Sequence, residues 1–215
     1  MESSKAELGG GPAATQFLLR CGTLAGPFYL AVGLIQAFLR DGFDFGRHPL
    51  SVLANGPGGW VQTANFVLTG LMVLAAAIGF GRLPGPKARG VTYFLCTFGI
   101  AMIVAAAFPA DPVDGFPPGT PKGPPTSIST TGLVHFAAGS LGFAALGISC
   151  FFAGWAMWRR RVSSLAIFSF LSGVGVLFGF FGGLVLPIGI LGIWFAVFVG
   201  FAWLTILYLR LSHQT

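Results

Sequence analysis

Six apolar segments, each long enough to cross a bilayer, constrain this chain more than any other feature. They cover approximately residues 16–39, 61–81, 91–108, 131–157, 164–184 and 188–209. A helix rises about 1.5 Å per residue, so about 20 apolar residues span the hydrocarbon core of a membrane. Loops dense in Pro, Gly and Asp separate the segments. The pattern predicts an all-α polytopic membrane protein with a bundle of six transmembrane helices.

The composition excludes an ordinary soluble enzyme. Only 8% of the 215 residues are charged and 54% are hydrophobic, whereas a soluble domain carries about 25% charged residues. The net charge of +6 does not indicate nucleic acid, because the basic residues lie at helix ends rather than in one polar patch. Cys21, Cys96 and Cys150 all lie inside apolar segments, so no disulfide framework is expected.

The distribution of basic residues predicts the orientation. With a cytoplasmic N-terminus, the inner helix ends hold Lys5, Arg20, Arg82, Lys87, Arg89, Arg159, Arg160, Arg161 and Arg210. The outer face then holds Arg40, Arg47 and Lys122. Cytoplasmic loops carry the excess of Lys and Arg, so we expect a multi-pass protein of the cell membrane with both termini cytoplasmic. We expect a disordered tail over residues 1–15, a transmembrane domain over 16–210, and a short tail over 211–215.

Glycine stripes indicate close helix contacts. Gly175, Gly179 and Gly183 form a GxxxGxxxG row on the fifth segment, which lets a neighbouring backbone approach. The first segment carries a similar stripe of Gly22, Gly26, Tyr29, Gly33 and Gln36. Packing inside the bundle accounts for these rows, and a homo-oligomer or a partner in a membrane complex stays open. Around Gly182, Gly183 and Pro187 we expect a tight hairpin between the last two helices.

Polar residues inside the apolar segments form a layer near the outer face. Gln36, Asn65 and His135 each lie about one turn, roughly 5 to 8 Å, below the predicted outer interface. Gln62 and Thr69 share the helical face of Asn65. On the fourth segment, His135 shares a stripe with Gly139 and Gly142. Intramembrane polar residues usually face a bundle interior or a cavity, so we expect a polar pocket here.

Two long loops lie above this layer. Residues 40–51 contain Asp41 and Asp44, and residues 109–121 contain Asp111 and Asp114. Each loop combines its two aspartates with a Gly-Phe and with prolines, which limit backbone freedom. Such loops are expected to be ordered and to fold over the polar layer.

The first functional hypothesis is a protein that binds a membrane lipid or another amphiphile and requires no cofactor. Arg40 and Arg47 could pair with a phosphate, and Trp60 suits headgroup level. The ligand-binding candidates are Gln36, Arg40, Arg47, His48, Trp60, Gln62, Asn65, Asp111 and His135. The alternative to ligand binding is that the two arginines pair locally with Asp41 and Asp44 at the surface.

The second hypothesis is a metal-dependent membrane hydrolase. Two imidazoles and a carboxylate suit zinc with an open position for water. The candidate ligands are His48, His135, Asp44, Asp111 and Asp114. A related alternative makes Ser51 a nucleophile with His48 or His135 as base and an Asp such as Asp111 as orienter, although Ser51 also suits a helix N-cap. A third class is a structural subunit of a membrane complex.

The combined loop motifs resemble a known family. They are His48-Pro-Leu-Ser-Val-Leu-Ala-Asn-Gly-Pro-Gly-Gly-Trp-Val-Gln62, Phe108-Pro-Ala-Asp-Pro112, Gly115-Phe-Pro-Pro-Gly-Thr-Pro121 and His135-Phe136. Together they resemble the bacterial integral membrane proteins catalogued as domain of unknown function nine-nine-eight, over about residues 17–209. The resemblance implies a six-helix membrane protein without an assigned reaction and suggests distant kinship to eukaryotic membrane proteins linked to lipid organisation. It supplies no catalytic residues.

Overall fold

Six long helices and one short 3₁₀ helix make up the described part of the chain. The computed structural model describes residues 11–83, 89–123 and 127–213. The helices are α1 (Pro12–Leu39), α2 (Gly59–Arg82), α3 (Arg89–Ala107), α4 (Thr130–Arg159), α5 (Ser163–Val185) and α6 (Gly189–Ser212), and the 3₁₀ helix is Leu50–Ala54. All six α-helices are long and apolar enough to cross a membrane. The predicted all-α fold with six candidate spans is confirmed.

Helix ends depart from the predicted segments by a few residues. Helix α1 begins at Pro12, because proline is favoured in the first turn of a helix, where its missing N–H has no partner to lose. Helix α6 continues to Ser212, and helix α4 continues to Arg159. The rest of the predicted N-terminal tail, with Lys5, and the loop that holds Lys87 lie outside the described residues.

The helices form a closed ring in chain order. Each helix packs against the next, and α6 returns to pack against α1. The chain therefore runs up and down, so Pro12 and Ser212 lie at one end of the bundle. The α1–α2, α3–α4 and α5–α6 connections lie at the other end, which we call the capped end. A tight hairpin joins α5 to α6 through a Leu186 N–H to Gly182 C=O bond of 2.8 Å, as predicted.

The outer surface of the ring is apolar. Phe38, Trp60 and Val185 are 77%, 74% and 80% exposed. In water such a belt would be unfavourable, whereas acyl chains solvate it without penalty. The surface therefore fits a lipid environment.

The glycine rows lie at contacts between helices of the same chain. A Cβ on Gly22 would overlap the ring of Tyr208, and one on Gly26 would strike the backbone of Phe201. On α5, Gly179 and Gly183 lie against the start of α6 in the same way. These glycines allow α6 to approach both of its neighbours, which supports the prediction of packing within the bundle.

Candidate functional site

The α1–α2 and α3–α4 connections fold against each other, with His48 between them. We call the described residues 40–58 and 108–129 the cap. The His48 side chain is fully buried. The Asp44 N–H donates to its Nδ1 at 2.9 Å, and its Nε2 lies 3.1 Å from the Asp114 carbonyl oxygen. Because Nδ1 accepts, Nε2 carries the proton and donates to Asp114. Both ring nitrogens are therefore occupied by backbone groups, one from each loop.

Aromatic rings enclose this imidazole. The ring centroids of Phe43 and Phe116 each lie 5.5 Å from that of His48. Phe43 and Phe116 also contact each other edge to face, an arrangement that the quadrupoles of two aromatic rings favour. The Gly-Phe element noted in each loop therefore supplies the apolar core of the cap.

Arg40 stabilises the backbone of the cap rather than a ligand. Its guanidinium donates to the carbonyl oxygens of Leu53 at 3.1 Å and Asn55 at 2.6 Å, and it lies 5.1 Å from the ring centroid of Phe116. Partial burial lowers the pKa of Arg40 from its ordinary value. The Asn55 side chain donates to the Ala110 carbonyl at 2.9 Å, which joins the two loops again. The alternative pairing of Arg40 with Asp41 is not among the ion pairs of the described residues.

Arg47 forms ion pairs at the cap surface. Its Nε lies 2.9 Å from Asp44 Oδ2, and its Nη1 lies 3.9 Å from Asp114 Oδ1. The predicted local pairing of Arg47 with Asp44 is therefore present. The Gly46 N–H and the Arg47 side chain hold the pKa of Asp44 below its usual value. Both side chains are exposed to solvent, and exposed ion pairs add little to stability.

Asp111 extends the N-terminal cap of α4. Its carboxylate accepts from the backbone N–H of Ser129 at 3.0 Å and from the Ser129 hydroxyl. The Ser129 hydroxyl oxygen in turn accepts from the Gly132 N–H at 3.0 Å. The carboxylate thereby joins the α3–α4 connection to the first turn of α4.

A cavity of about 330 Å³ lies inside the ring beneath the cap. Its polar lining residues are Tyr29, Ser51, Asp111 and His135. Its other walls are apolar and include Phe66, Phe98, Met102, Phe143, Phe180 and Phe201. Ser51 and Asp111 belong to the cap, and His135 lies near the start of α4. These three polar residues of the lining are therefore at the capped end. Binding sites for small molecules are commonly cavities of about 300 to 1,000 Å³ with apolar walls and few polar groups.

His135 faces this cavity with one nitrogen unbonded. Its Nδ1 lies 3.1 Å from the Ala105 carbonyl oxygen and 2.9 Å from that of Phe108. Since both partners are acceptors, Nδ1 carries the proton and donates, which leaves Nε2 as an acceptor in the neutral ring. No described residue forms a hydrogen bond with Nε2, and the side chain is only 9% exposed.

The other residues of the predicted polar layer form hydrogen bonds within the α1–α2 hairpin. Asn65 donates to the Tyr29 carbonyl and to Gln62 Oε1, both at 3.1 Å, and Thr69 donates to Asn65 Oδ1 at 3.4 Å. Gln36 donates to the Gly58 carbonyl at 3.0 Å. Gln36, Gln62 and Asn65 are buried and are absent from the cavity lining. The expected convergence of Gln36, Asn65 and His135 on one polar pocket is therefore not found.

Comparison with known proteins identifies the family. A family described as "Protein of unknown function (DUF998)" matches residues 23–211. The chain belongs to this family. No curated protein and no solved structure matches it. Membership in DUF998 agrees with the loop resemblance and with the six candidate spans.

The metal-ligand candidates are not brought together in this DUF998 protein. Among residues 11–83, 89–123 and 127–213, no three His, Cys, Asp or Glu side chains form a group that could hold a metal ion. His48 has both nitrogens bonded to backbone, and the Asp111 carboxylate binds Ser129. The geometry of the described residues therefore does not support a zinc site, or another metal site, formed by the predicted ligands His48, His135, Asp44, Asp111 and Asp114.

For the serine-nucleophile alternative, no base is hydrogen-bonded to Ser51 among the described residues. Ser51 lies in the 3₁₀ helix, whose N-cap is Pro49 rather than Ser51. Neither nitrogen of His48 is free to take a proton from it. Ser51 and His135 both line the cavity, but no hydrogen bond joins them in the part of the chain described.

The apolar walls of the cavity are not evident from the sequence. Phenylalanines are common throughout the chain, so those of the walls carry no separate signal. The stripe of His135, Gly139 and Gly142 was the useful signal, because all three residues line the cavity. Trp60 is exposed at the start of α2, which suits an anchor at the membrane interface, and it is absent from the cavity lining.

Proposed function

We propose that this protein binds a membrane amphiphile in the cavity under the cap, with the apolar part among the phenylalanines and the polar part beside His135. The observation that carries the proposal is the combination of apolar walls with polar groups at the capped end. A fully apolar cavity would suit a hydrocarbon, and a polar one would suit a water-soluble solute. The proposal retains Asp111 and His135 of the original candidates.

The ligand enters from the membrane, between α4 and α5. Phe136 and Gly139 on α4 and Leu184 on α5 all line the cavity, and Phe136 and Leu184 are 53% and 39% exposed on the outer surface. A Cβ on Gly139 would find only Phe180, at 3.9 Å. Nearer the terminal end, a Cβ on Gly147 would overlap the Leu177 side chain of α5. The two helices therefore pack closely in one half and leave space in the capped half.

Photolabelling tests this function. The probes are a fatty alcohol and the matching fatty acid, each with a diazirine in its chain, applied to protein in lipid nanodiscs. We expect at least one probe to label cavity-lining peptides. Gly139→Leu fills the open space and should suppress that labelling. Ala137→Leu is the matched control, because Ala137 lies on the exposed face of α4. Labelling confined to the outer surface, or insensitive to Gly139→Leu, would contradict the proposal.

The cap faces outward and both termini are cytoplasmic. The support is the excess of Lys and Arg at the terminal end, with nine basic residues against three. In a background without the native cysteines, Asp41→Cys should react with a membrane-impermeant maleimide in intact cells. Ser163→Cys, at the terminal end, should react only after permeabilisation. The reverse pattern would overturn this orientation.

A further inference from the structure

We infer that the ligand of this cavity carries an uncharged headgroup with a hydrogen-bond donor, such as the hydroxyl of a long-chain alcohol, and that His135 Nε2 accepts from it. This inference rests on the proposed function and names its ligand class. It departs from the phosphate headgroup that the sequence suggested for Arg40 and Arg47.

The acceptor is fixed by the backbone. Two carbonyl oxygens, from Ala105 and Phe108, hold the Nδ1 proton of His135. Turning the ring to donate from Nε2 would leave both carbonyls without this partner, and leaving a buried polar group unsatisfied is unfavourable. The neutral ring thus offers the cavity a lone pair, which only a donor can use.

The cavity provides no positive charge for an anion. No Lys or Arg lines it in the described part of the chain. Arg40 holds the Leu53 and Asn55 carbonyls, and Arg47 pairs with Asp44 at the surface. A buried charge is tolerated only when it is paired and hydrogen-bonded. The acidic Asp111 in the lining further disfavours a carboxylate or phosphate.

A cationic headgroup would have to share its counter-charge with the Ser129 cap of α4. An ammonium has three donors to satisfy. Asp111 is the lining carboxylate, and it already accepts two hydrogen bonds from Ser129. A hydroxyl needs one acceptor and can itself accept, so His135 Nε2 alone satisfies its donor.

The size of the cavity sets the scale of the chain. An apolar cavity of about 150 Å³ holds one benzene. At about 330 Å³, the cavity suits roughly a dozen non-hydrogen atoms on the same scale. Dodecanol is therefore a suitable probe, together with three compounds that share its chain.

The experiment measures how dodecanol, its methyl ether, dodecanoate and dodecylammonium compete with the photoprobe for the cavity. We expect dodecanol to bind up to about tenfold more tightly than the ether, because the ether lacks the donor. Dodecanoate and dodecylammonium should bind more weakly than dodecanol. The comparison uses the unmodified protein, so it does not depend on a variant folding.

His135→Asn then assigns the acceptor. The asparagine amide can donate in place of Nδ1 but has no group at the position of Nε2. We expect the preference for dodecanol over its ether to fall to about onefold, with labelling still sensitive to Gly139→Leu. A preference that persists in His135→Asn would overturn the assignment.

The two proposals fail differently. If no probe labels the cavity in a manner sensitive to Gly139→Leu, the proposed function fails. If labelling is sensitive but dodecanoate or dodecylammonium binds most tightly, or the alcohol and ether bind equally, only the ligand class fails.

Discussion

Replacing His48 should open the cap without unfolding the bundle. His48→Leu removes the bond from the Asp44 N–H and the bond to the Asp114 carbonyl. The Asp44 N–H and the Asp114 carbonyl each lose a hydrogen-bond partner. Because the His48 side chain is 0% exposed, water does not readily replace the imidazole there. At about 1 to 2 kcal/mol per bond, the free energy of cap opening should fall by about 2 to 4 kcal/mol. Amide exchange in the cap should accelerate by roughly 30- to 700-fold, at tenfold per 1.4 kcal/mol.

Hydrogen exchange with mass spectrometry in nanodiscs measures this effect. Peptides that cover residues 40–58 and 108–123 should exchange faster, whereas peptides from the middle of α2 and α6 should not change. Two variants each keep one bond. His48→Asn can still accept from Asp44, and His48→Gln can still donate to Asp114. Each should show an intermediate acceleration.

Two outcomes would refute the reasoning. If exchange in the cap is unchanged by His48→Leu, the imidazole does not join the two loops. If the helices accelerate as much as the cap, the substitution acts on global stability. The test also concerns the cavity, because Ser51 and Asp111 of the cap line it.

Three further predictions concern stability. Gly22→Ala should lower the free energy of unfolding by about 1 to 3 kcal/mol, because a Cβ would overlap the Tyr208 ring. The control Gly175→Ala has contacts no closer than 3.4 Å and should be neutral or stabilising. Equal melting temperatures for the two variants would contradict this prediction. Tyr208→Phe should cost about 1 kcal/mol in thermal unfolding by removing the 2.9 Å bond to the Ala76 carbonyl, while labelling of the cavity persists. The pKa of Asp44 is lowered on folding, so its carboxylate adds stability above the unfolded value of about 3.9. The stability difference between wild type and Asp44→Asn should therefore be constant near neutral pH and shrink as the pH falls below that value; a difference that shrinks near neutral pH would contradict this.

The helices were predictable because a bilayer imposes a simple rule. Each span must satisfy its own backbone hydrogen bonds over about 20 apolar residues. Hydropathy and the Pro, Gly and Asp content of the loops therefore locate the spans well. The first and last residues of each helix are harder to predict, because a helix such as α1 or α6 can continue beyond the apolar core of the membrane.

The sequence located the polar stripes but not their neighbours. Asn65 and His135 each lie on a helical face with other small or polar residues. The face of Asn65 packs against α1, whereas the face of His135 lines the cavity. Helical periodicity gives the direction of a side chain on its own helix and says nothing of the gap beyond it. This is why the sequence does not distinguish Asn65, which is absent from the cavity lining, from His135, which is part of it.

The cap arginines illustrate a second limit. A surface Arg beside an Asp in sequence predicts an ion pair, and Arg47 forms one with Asp44. Arg40 instead binds the carbonyls of Leu53 and Asn55. Backbone acceptors are present at every residue, so a sequence pattern cannot single out those two.

The seam between the first and last helices has a consequence for biosynthesis. Gly22 and Gly26 of α1 pack against Tyr208 and Phe201 of α6. Phe201 also forms part of the cavity wall. A nascent chain with five helices inserted has neither the seam nor that wall. The cavity can therefore form only once the final span docks onto the first, and a ribosome-bound intermediate lacks it.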